Sequence, residues 1–185
     1  MNKDTENGHK AIVADVLMEH LEKLHARLDK GKFTDHLTSV MSDVNGTLDV
    51  DGRGGLLDGF LCDWHDAGLP VLIATGVSSQ DLPFDIVERL QGHDAQRGAW
   101  FVEKPFKFSD ISPGMVFDDD QNIARVISVM GGTGWDVFDA SSFLESWSSL
   151  SAVHKQQALQ PFIELHSNIY PQAVPPVRFD GNNFE

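Results

Sequence analysis

Two kinds of hydrophobic pattern follow one another along the chain. Between residues 10 and 30 the apolar side chains recur at steps of three and four, which predicts an amphipathic α-helix ending near Gly31. The apolar positions of this helix are Ile12, Val13, Val16, Leu17, Leu21, Leu24 and Leu28. A helix of this kind must cover its apolar face. We expect it to dock on the same chain; docking on a second copy is the alternative and would make the protein a homo-oligomer.

From residue 37 onward, short apolar runs alternate with longer segments of helical period. The β-branched and aromatic content of most runs suits strands. The five runs are "LTSVMSDV" (37–44), "PVLIATG" (70–76), "AWFVEK" (99–104), "GMVFDDD" (114–120) and "WDVF" (135–138). The segments between them are 55–68, 78–92, 106–112 and 121–132. This alternation predicts an α/β fold in three Rossmann-like layers, with a central parallel five-stranded sheet and helices on both faces.

The same pattern divides the chain into three parts. Residues 1–36 form an N-terminal amphipathic helical arm, and residues 37–150 form an α/β core. Residues 151–185 form a C-terminal helix followed by a proline-rich tail, in which "YPQAVPPV" favours an extended backbone. A length of 185 residues suits one domain with appendages.

Composition narrows the function classes. A formal charge of -14 argues against binding to a phosphate backbone. No run approaches the roughly 18 apolar residues that span a bilayer, so we expect a cytoplasmic protein without a membrane partner. The single Cys62 excludes an internal disulfide and suits a core thiol. The eight histidines show no ligand spacing, and His20 and His25 are expected at solvated positions. The four tryptophans are expected in the core.

Polar side chains stand where the first four predicted strands end. Because the carboxyl ends of parallel strands meet at one edge of a sheet, we expect these groups to converge there. They are Asp43 and Asn45, then Thr75, then Lys104, and finally Asp118, Asp119 and Asp120. Facing carboxylates ionise together only around a cation, and hard oxygen ligands suit Mg²⁺. With Thr75 and Lys104 as donors to phosphate oxygens, the set predicts phosphoryl transfer to or from a carboxylate.

These segments carry a family resemblance. In order and spacing, "SDVNGTL", "VLIATG", "EKP" and "MVFDDDQN" resemble the four motifs of the haloacid dehalogenase (HAD) superfamily. In that family the first motif is an apolar strand ending in Asp-x-Asp-Gly-Thr-Leu or a near variant, and the fourth is a strand ending in an acidic pair. The resemblance covers roughly residues 37 to 140. Its first and fourth motifs are fairly specific, whereas the second and third are weak alone.

The resemblance implies a role for each matching residue. Asp43 would be the nucleophile that forms an aspartyl-phosphate, and the backbone carbonyl of Asn45 would be a metal ligand. Thr75 and Lys104 would hold the phosphoryl group. Asp118 or Asp119, with a slight preference for Asp119, would complete the Mg²⁺ site.

Each residue also has a plainer interpretation. Asp43 could open an ordinary turn, and Thr75 could be a routine strand exit. Lys104 could be solvated, with Lys107 as a nearby rival. Asp120 suits the N-cap of the next helix.

Asn45 departs from the family pattern. The family's phosphatases carry an aspartate there, which protonates the leaving oxygen and later activates water, and an amide cannot do this. Three consequences are open: a substrate with a good leaving group, slow turnover as in the soluble P-type ATPase-like branch that this first motif most resembles, or loss of turnover. We predict a Mg²⁺-dependent phosphohydrolase of low or specialised activity; the alternative is a non-catalytic HAD-fold protein-interaction or ligand-binding module.

The spacing of the motifs leaves little room for a cap domain. Nine residues, 46 to 54, separate Asn45 from Gly55, and one helix and one strand use the residues between Thr75 and Lys104. The Asp51-Gly52 pair suits the hairpin flap that the family places after its nucleophile. We therefore expect an uncapped, open site that takes a phosphorylated small molecule or a phosphoprotein.

Overall fold

The computed structural model describes residues 3–29, 37–48, 54–75, 100–103, 114–121, 133–135 and 140–169. The helices in these ranges are α1 (Lys3–Asp29), α2 (Gly54–Asp66), α3 (Ser141–Ser148) and α4 (Ala152–Ile169). The strands are β1 (Val40–Asp43), β2 (Val71–Thr75), β3 (Trp100–Glu103), β4 (Met115–Phe117) and β5 (Thr133–Trp135).

The strands pair in parallel, which confirms the predicted α/β class. β1 lies between β2 and β4, and β3 and β5 pair on the outer sides of these two, in the order β3-β2-β1-β4-β5. β4 (MVF) and the first three residues of β2 (VLI) are apolar and buried, and β1 (VMSD) is buried throughout although it ends in Ser42 and Asp43. The strand order reverses between β1 and β4, so the topological switch point lies at this pair.

The fifth strand does not begin where its sequence suggested. The run "WDVF" predicted a strand from Trp135, but β5 covers Thr133–Trp135 and begins in a Thr-Gly pair. Its register places Thr133 beside Met115 and Trp135 beside Phe117. Pairing with β4 therefore determines which residues form β5, whereas the prediction relied on apolar side chains alone.

An aromatic cluster joins α2 to the sheet and to the C-terminal helices. The Phe60 ring of α2 lies 5.8 Å from Phe117 of β4 and 5.0 Å from Trp147 of α3, both edge-on. Trp64, one turn further along α2, lies 5.1 Å from Phe162 of α4. Trp64 and Trp147 are almost fully buried, as expected of core aromatics.

Helix α1 packs on α3 and α4 of the same chain. Its buried stripe runs through Val13, Leu17, Leu21 and Leu24, with steps of three and four residues, and belongs to the main hydrophobic core. Ile12 was predicted on this stripe, but it is 43% exposed because it lies one residue off the stripe.

His20 contradicts the expectation of a solvated position. It is only 1% exposed and its ring lies 5.5 Å from Phe162. The physical reason is helical spacing: His20 follows Leu17 by three residues and precedes Leu24 by four, so it shares their face. His25, one position beyond Leu24, is exposed as expected.

Two side-chain links hold α4 in place. The carboxylate of Asp63 on α2 accepts hydrogen bonds from the Trp147 indole nitrogen at 2.7 Å and from Lys155 Nζ at 2.8 Å. At the other end of α4, Thr38 Oγ1 and His166 Nδ1 form a hydrogen bond of 2.6 Å. Burial lowers the pKa of His166 below its ordinary value of 6.5, which favours the neutral ring in this bond.

Several predicted features lie outside the described residues. They are the Gly31 cap, the Asp51-Gly52 flap, the helical segments 78–92 and 106–112, most of the helical segment 121–132, Lys104 with Lys107, and the tail 170–185. Among the helices of the described ranges, none combines the length and the hydropathy needed to cross a membrane.

Candidate functional site

Two strand ends bring carboxylates together at the switch point. β1 ends in Asp43, and β4 pairs with it so that Ser42 lies beside Phe117. Asp118, the next residue, is therefore level with Asp43, and Asp119 follows it. Ligand oxygens of the three carboxylates all lie within 4.8 Å of one another. We call Asp43, Asp118 and Asp119 the acidic cluster.

The three members of the acidic cluster differ in burial. Asp43 is 7% exposed and Asp118 is 2% exposed, whereas Asp119 lies on the surface. The backbone N–H of Asp120 donates to Asp118 Oδ1 at 2.8 Å, a local bond that restrains the Asp118 side chain. The cluster is thus a partly buried pair of carboxylates with an exposed third one at its mouth.

A tight turn follows Asp43 directly. Asn45 has φ -70° and ψ 125°, and Gly46 has φ 73° and ψ 0°. These are the dihedral angles of the two central residues of a type II β-turn, which needs a positive φ at its third position and therefore favours glycine there. The turn reverses the chain within reach of the acidic cluster.

Gly46 also lies against Asp119. A β-carbon placed on Gly46 would come within 2.8 Å of Asp119 Cγ and closer still to its Oδ2. The missing side chain of Gly46 therefore leaves the space that the Asp119 carboxylate occupies. Gly46 therefore allows both the positive φ of the turn and the close approach of the Asp119 carboxylate.

Thr47, the next residue of the turn, is fully buried. Within the described part of the chain, its hydroxyl has no hydrogen-bond partner. Leaving a buried hydroxyl unpaired costs roughly 1–3 kcal/mol. The Thr47 hydroxyl is therefore a buried polar group of the turn that the described residues leave without a partner.

The donor set fits a hard divalent cation. Carboxylate oxygens are the ligands that Mg²⁺ and Ca²⁺ take in proteins. Ionised carboxylates this close repel one another, and a cation between them removes the repulsion. The three oxygens alone do not distinguish Mg²⁺ from Ca²⁺ or Mn²⁺.

The structure gives less detail on the other three predicted site residues. Asn45 is exposed and lies in the turn, two residues from Asp43. Thr75 is the last residue of β2 and follows Ala74, which pairs with Asp43. The backbone of Thr75 is thus one step beyond the level of the cluster. Lys104 lies outside the described ranges, and its role stays a prediction.

Gly46 is the site residue that the sequence interpretation missed. Its signal was present, because an Asn-Gly pair is a common turn dipeptide. The dipeptide predicts a bend, but only the packing of β1 beside β4 brings Asp119 over that bend. Asp118 and Asp119 both lie beside Asp43, and the slight preference for Asp119 as the metal ligand stays a prediction.

Comparison with known proteins found no matching family model, no matching curated protein and no matching solved structure.

Proposed function

We propose that this protein is a Mg²⁺-dependent phosphohydrolase of the HAD type that acts through an aspartyl-phosphate on Asp43. The observation that carries the proposal is the acidic cluster itself. Three carboxylates meet at the carboxyl ends of β1 and β4, at the switch point where α/β sheets bind their ligands. The buried Asp43 and Asp118 lie deepest, and the exposed Asp119 lies at the entrance.

In the proposed reaction, a carboxylate oxygen of Asp43 attacks the phosphorus of a phosphate ester or anhydride. A bond forms between Asp43 and phosphorus, and the bond from phosphorus to the leaving oxygen breaks, with its electron pair staying on that oxygen. Water then attacks the phosphorus, which releases inorganic phosphate and frees the carboxylate. Asp118 and Asp119 would hold Mg²⁺ beside Asp43, and Mg²⁺ would offset the negative charge of the phosphoryl oxygens.

The finer fold assignment belongs to the same proposal. The strand order β3-β2-β1-β4-β5 and the helices α1 to α4 support a three-layer, Rossmann-like HAD fold built on five parallel strands. Thr75, at the end of the neighbouring β2, is the proposed donor to the phosphoryl group, with Lys104 as its predicted companion. The Asp-x-Asn motif supports membership of a branch that resembles the soluble P-type ATPase-like proteins.

Asn45 shapes the proposed activity. Its amide cannot give a proton to the leaving oxygen, so that oxygen must depart as an anion. Acyl phosphates and aryl phosphates allow this because their leaving groups are weak bases. We therefore propose low turnover on alkyl phosphates and higher turnover on phosphates with good leaving groups.

The direct experiment measures phosphate release from acetyl phosphate and p-nitrophenyl phosphate with Mg²⁺ and with EDTA. Wild-type protein should release phosphate only with Mg²⁺, and Asp43→Asn should abolish the release. Asp120→Asn is the matched control, since it removes an exposed carboxylate beside the cluster. Absence of turnover in the wild type, or equal turnover in Asp43→Asn, would end the enzyme proposal.

A second candidate function, a non-catalytic interaction or ligand-binding module, has its own support. A groove of about 200 Å³ runs between α1 and α4, and its lining is mainly apolar. Met18, on the α1 side of this groove, is 50% exposed. Exposed apolar surface of this kind marks binding sites in many proteins.

Two variants, Asp43→Asn and Met18→Glu, distinguish the two candidate functions. A binding module predicts a complex that survives Asp43→Asn and is lost in Met18→Glu, a charge placed on the groove. A phosphohydrolase predicts the opposite: turnover that survives Met18→Glu and is lost in Asp43→Asn. Gel filtration of each variant also tests whether α1 pairs two copies of this chain.

A further inference from the structure

We infer that Gly46 is a positioning residue that admits the Asp119 carboxylate into the acidic cluster. The inference rests on the proposed metal site, and it concerns how the exposed third carboxylate is kept there. Gly46 itself offers no side chain to a metal or a substrate. Its contribution is the space beside its α-carbon, which the Asp119 carboxylate occupies.

Contact with Gly46 restricts the mobility of the Asp119 side chain. Asp119 is exposed, and an exposed side chain samples several rotamers unless contacts restrict it. Yet its carboxylate reaches within 4.8 Å of the ligand oxygens of Asp43 and Asp118. Contact with the Gly46 backbone limits Asp119 on one side and so favours the rotamer that points toward the cluster.

A side chain at position 46 would displace the Asp119 carboxylate. Its β-carbon would lie 2.8 Å from Asp119 Cγ, which real β-carbons do not tolerate, so one group must move. The Asp119 carboxylate is the end of a flexible side chain, whereas Gly46 sits in a turn fixed by the end of β1. The carboxylate moves, and the cluster loses its third ligand.

Two effects of a substitution at Gly46 must be kept apart. A φ of 73° strains most residues, but asparagine tolerates this region and is accepted at the third position of type II turns. Gly46→Asn therefore keeps the turn and adds the β-carbon. The variant isolates the clash with Asp119 from backbone strain.

The test measures binding of Mn²⁺ and Mg²⁺ by isothermal titration calorimetry and, separately, thermal unfolding in EDTA. Gly46→Asn should weaken binding about 10- to 100-fold, the range seen when residues that support metal ligands are replaced. Its unfolding temperature without metal should stay close to that of the wild type. Gly59→Asn is the matched control, because it adds the same side chain on the exposed face of α2, with nothing within 4 Å.

A double variant tests the route through Asp119. In an Asp119→Ala background the clash is gone, so adding Gly46→Asn should cost no further affinity. If Gly46→Asn alone fails to fold, the double variant should fold, since the obstructing carboxylate is absent; failure of both would overturn the inference.

The remaining outcomes separate the inference from the proposed function. If the wild type binds neither cation, the metal site and the inference both fail. If the wild type binds and Gly46→Asn binds equally well, only the inference fails. An equal further loss in the Asp119→Ala background would also overturn it, because Gly46 would then act independently of Asp119.

Discussion

Asp118→Asn should change the stability of the protein in opposite directions with and without metal. The substitution removes one charge from the acidic cluster and keeps the shape of the side chain. The amide oxygen can still accept the hydrogen bond from the Asp120 N–H, which measures 2.8 Å in the wild type. The variant therefore tests the charge of Asp118 rather than its packing.

The magnitude follows from the spacing of the ligand oxygens. The oxygens lie within 4.8 Å of one another, and two unit charges at that limit repel by about 3.5 kcal/mol at an effective dielectric constant of about 20. Water screens the exposed Asp119, so we expect a net gain of about 1–3 kcal/mol in the metal-free variant. For a chain of this size the unfolding temperature should rise by roughly 2–4 °C per kcal/mol.

Metal should reverse this order. Mg²⁺ at 1,000 times its dissociation constant stabilises the wild type by about 4.1 kcal/mol, more than the metal-free gain of the variant, because it binds only the folded state. Asp118→Asn loses a ligand and should gain far less. Calorimetric unfolding in EDTA and in Mg²⁺ measures both effects, and Asp120→Asn, which removes an equal charge outside the cluster, should show neither.

Either of two results would refute the reasoning. One is a lower unfolding temperature of Asp118→Asn in EDTA, which would mean that its carboxylate stabilises the metal-free fold. The other is an equal Mg²⁺ shift in the variant and the wild type, which would exclude Asp118 from any cation site. If Asp118→Asn is more stable than the wild type in EDTA and less stable in Mg²⁺, the result supports both the repulsion within the acidic cluster and the cation site.

Three further predictions concern stability, pH and turnover. Asp63→Ala should lower the free energy of unfolding in urea by about 1.5–3 kcal/mol, because the buried Trp147 indole loses a charged acceptor. His166 should make stability depend on pH: its pKa is lowered by burial, so the unfolded chain binds more protons. The His166 contribution is full above about pH 6.5 and is lost as the pH falls through the lowered pKa, which thermal unfolding across this range measures. Asn45→Asp should raise the turnover of alkyl phosphates by about 100-fold or more, measured as phosphate release with Mg²⁺, because it restores a general acid.

Each of these predictions has a control. Lys155→Met removes the partly buried ion pair with Asp63 and the ammonium group 5.8 Å from the Trp147 ring, and it should cost roughly 1 kcal/mol; a cost equal to that of Asp63→Ala would contradict the role given to the indole. His166→Gln should flatten the pH dependence, and a dependence that persists in this variant would assign it to another group. If Asn45→Ser hydrolysed alkyl phosphates as fast as Asn45→Asp, the low turnover of the wild type would not be due to the missing general acid at position 45.

The parallel sheet was largely predictable because its strands are short apolar runs with polar ends. Buried parallel strands need continuous apolar side chains, and "VLIAT" and "MVF" satisfy this directly. The convergence of Asp43 with Asp118 and Asp119 then followed from parallel pairing. Strand β5 was harder, since Thr133 and Gly134 carry no apolar signal and depend on their pairing with β4.

Features that depend on tertiary contacts could not be predicted from residue type. His20 is polar, yet its helical position buries it against Phe162, and tertiary packing overrides the usual exposure of histidine. The space beside Gly46 is a second case. This space matters because the pairing of β4 with β1 places Asp119 over the turn that follows β1. The turn and Asp119 are separated by about 70 residues of chain.

In the proposed site, the turn after Asp43 would separate metal binding from proton transfer. Asn45 occupies the second position of the type II turn, where its φ of -70° and ψ of 125° are open to asparagine and aspartate alike. An aspartate there would leave Gly46 and the acidic cluster in place and would change only the proton that the side chain can supply. It follows that Asn45→Asp should leave the Mn²⁺ affinity nearly unchanged while it raises turnover, whereas Gly46→Asn should weaken the affinity. If Asn45→Asp instead altered both by similar factors, the side chain at position 45, and not only its backbone carbonyl, would belong to the metal site as well as to the proton chemistry.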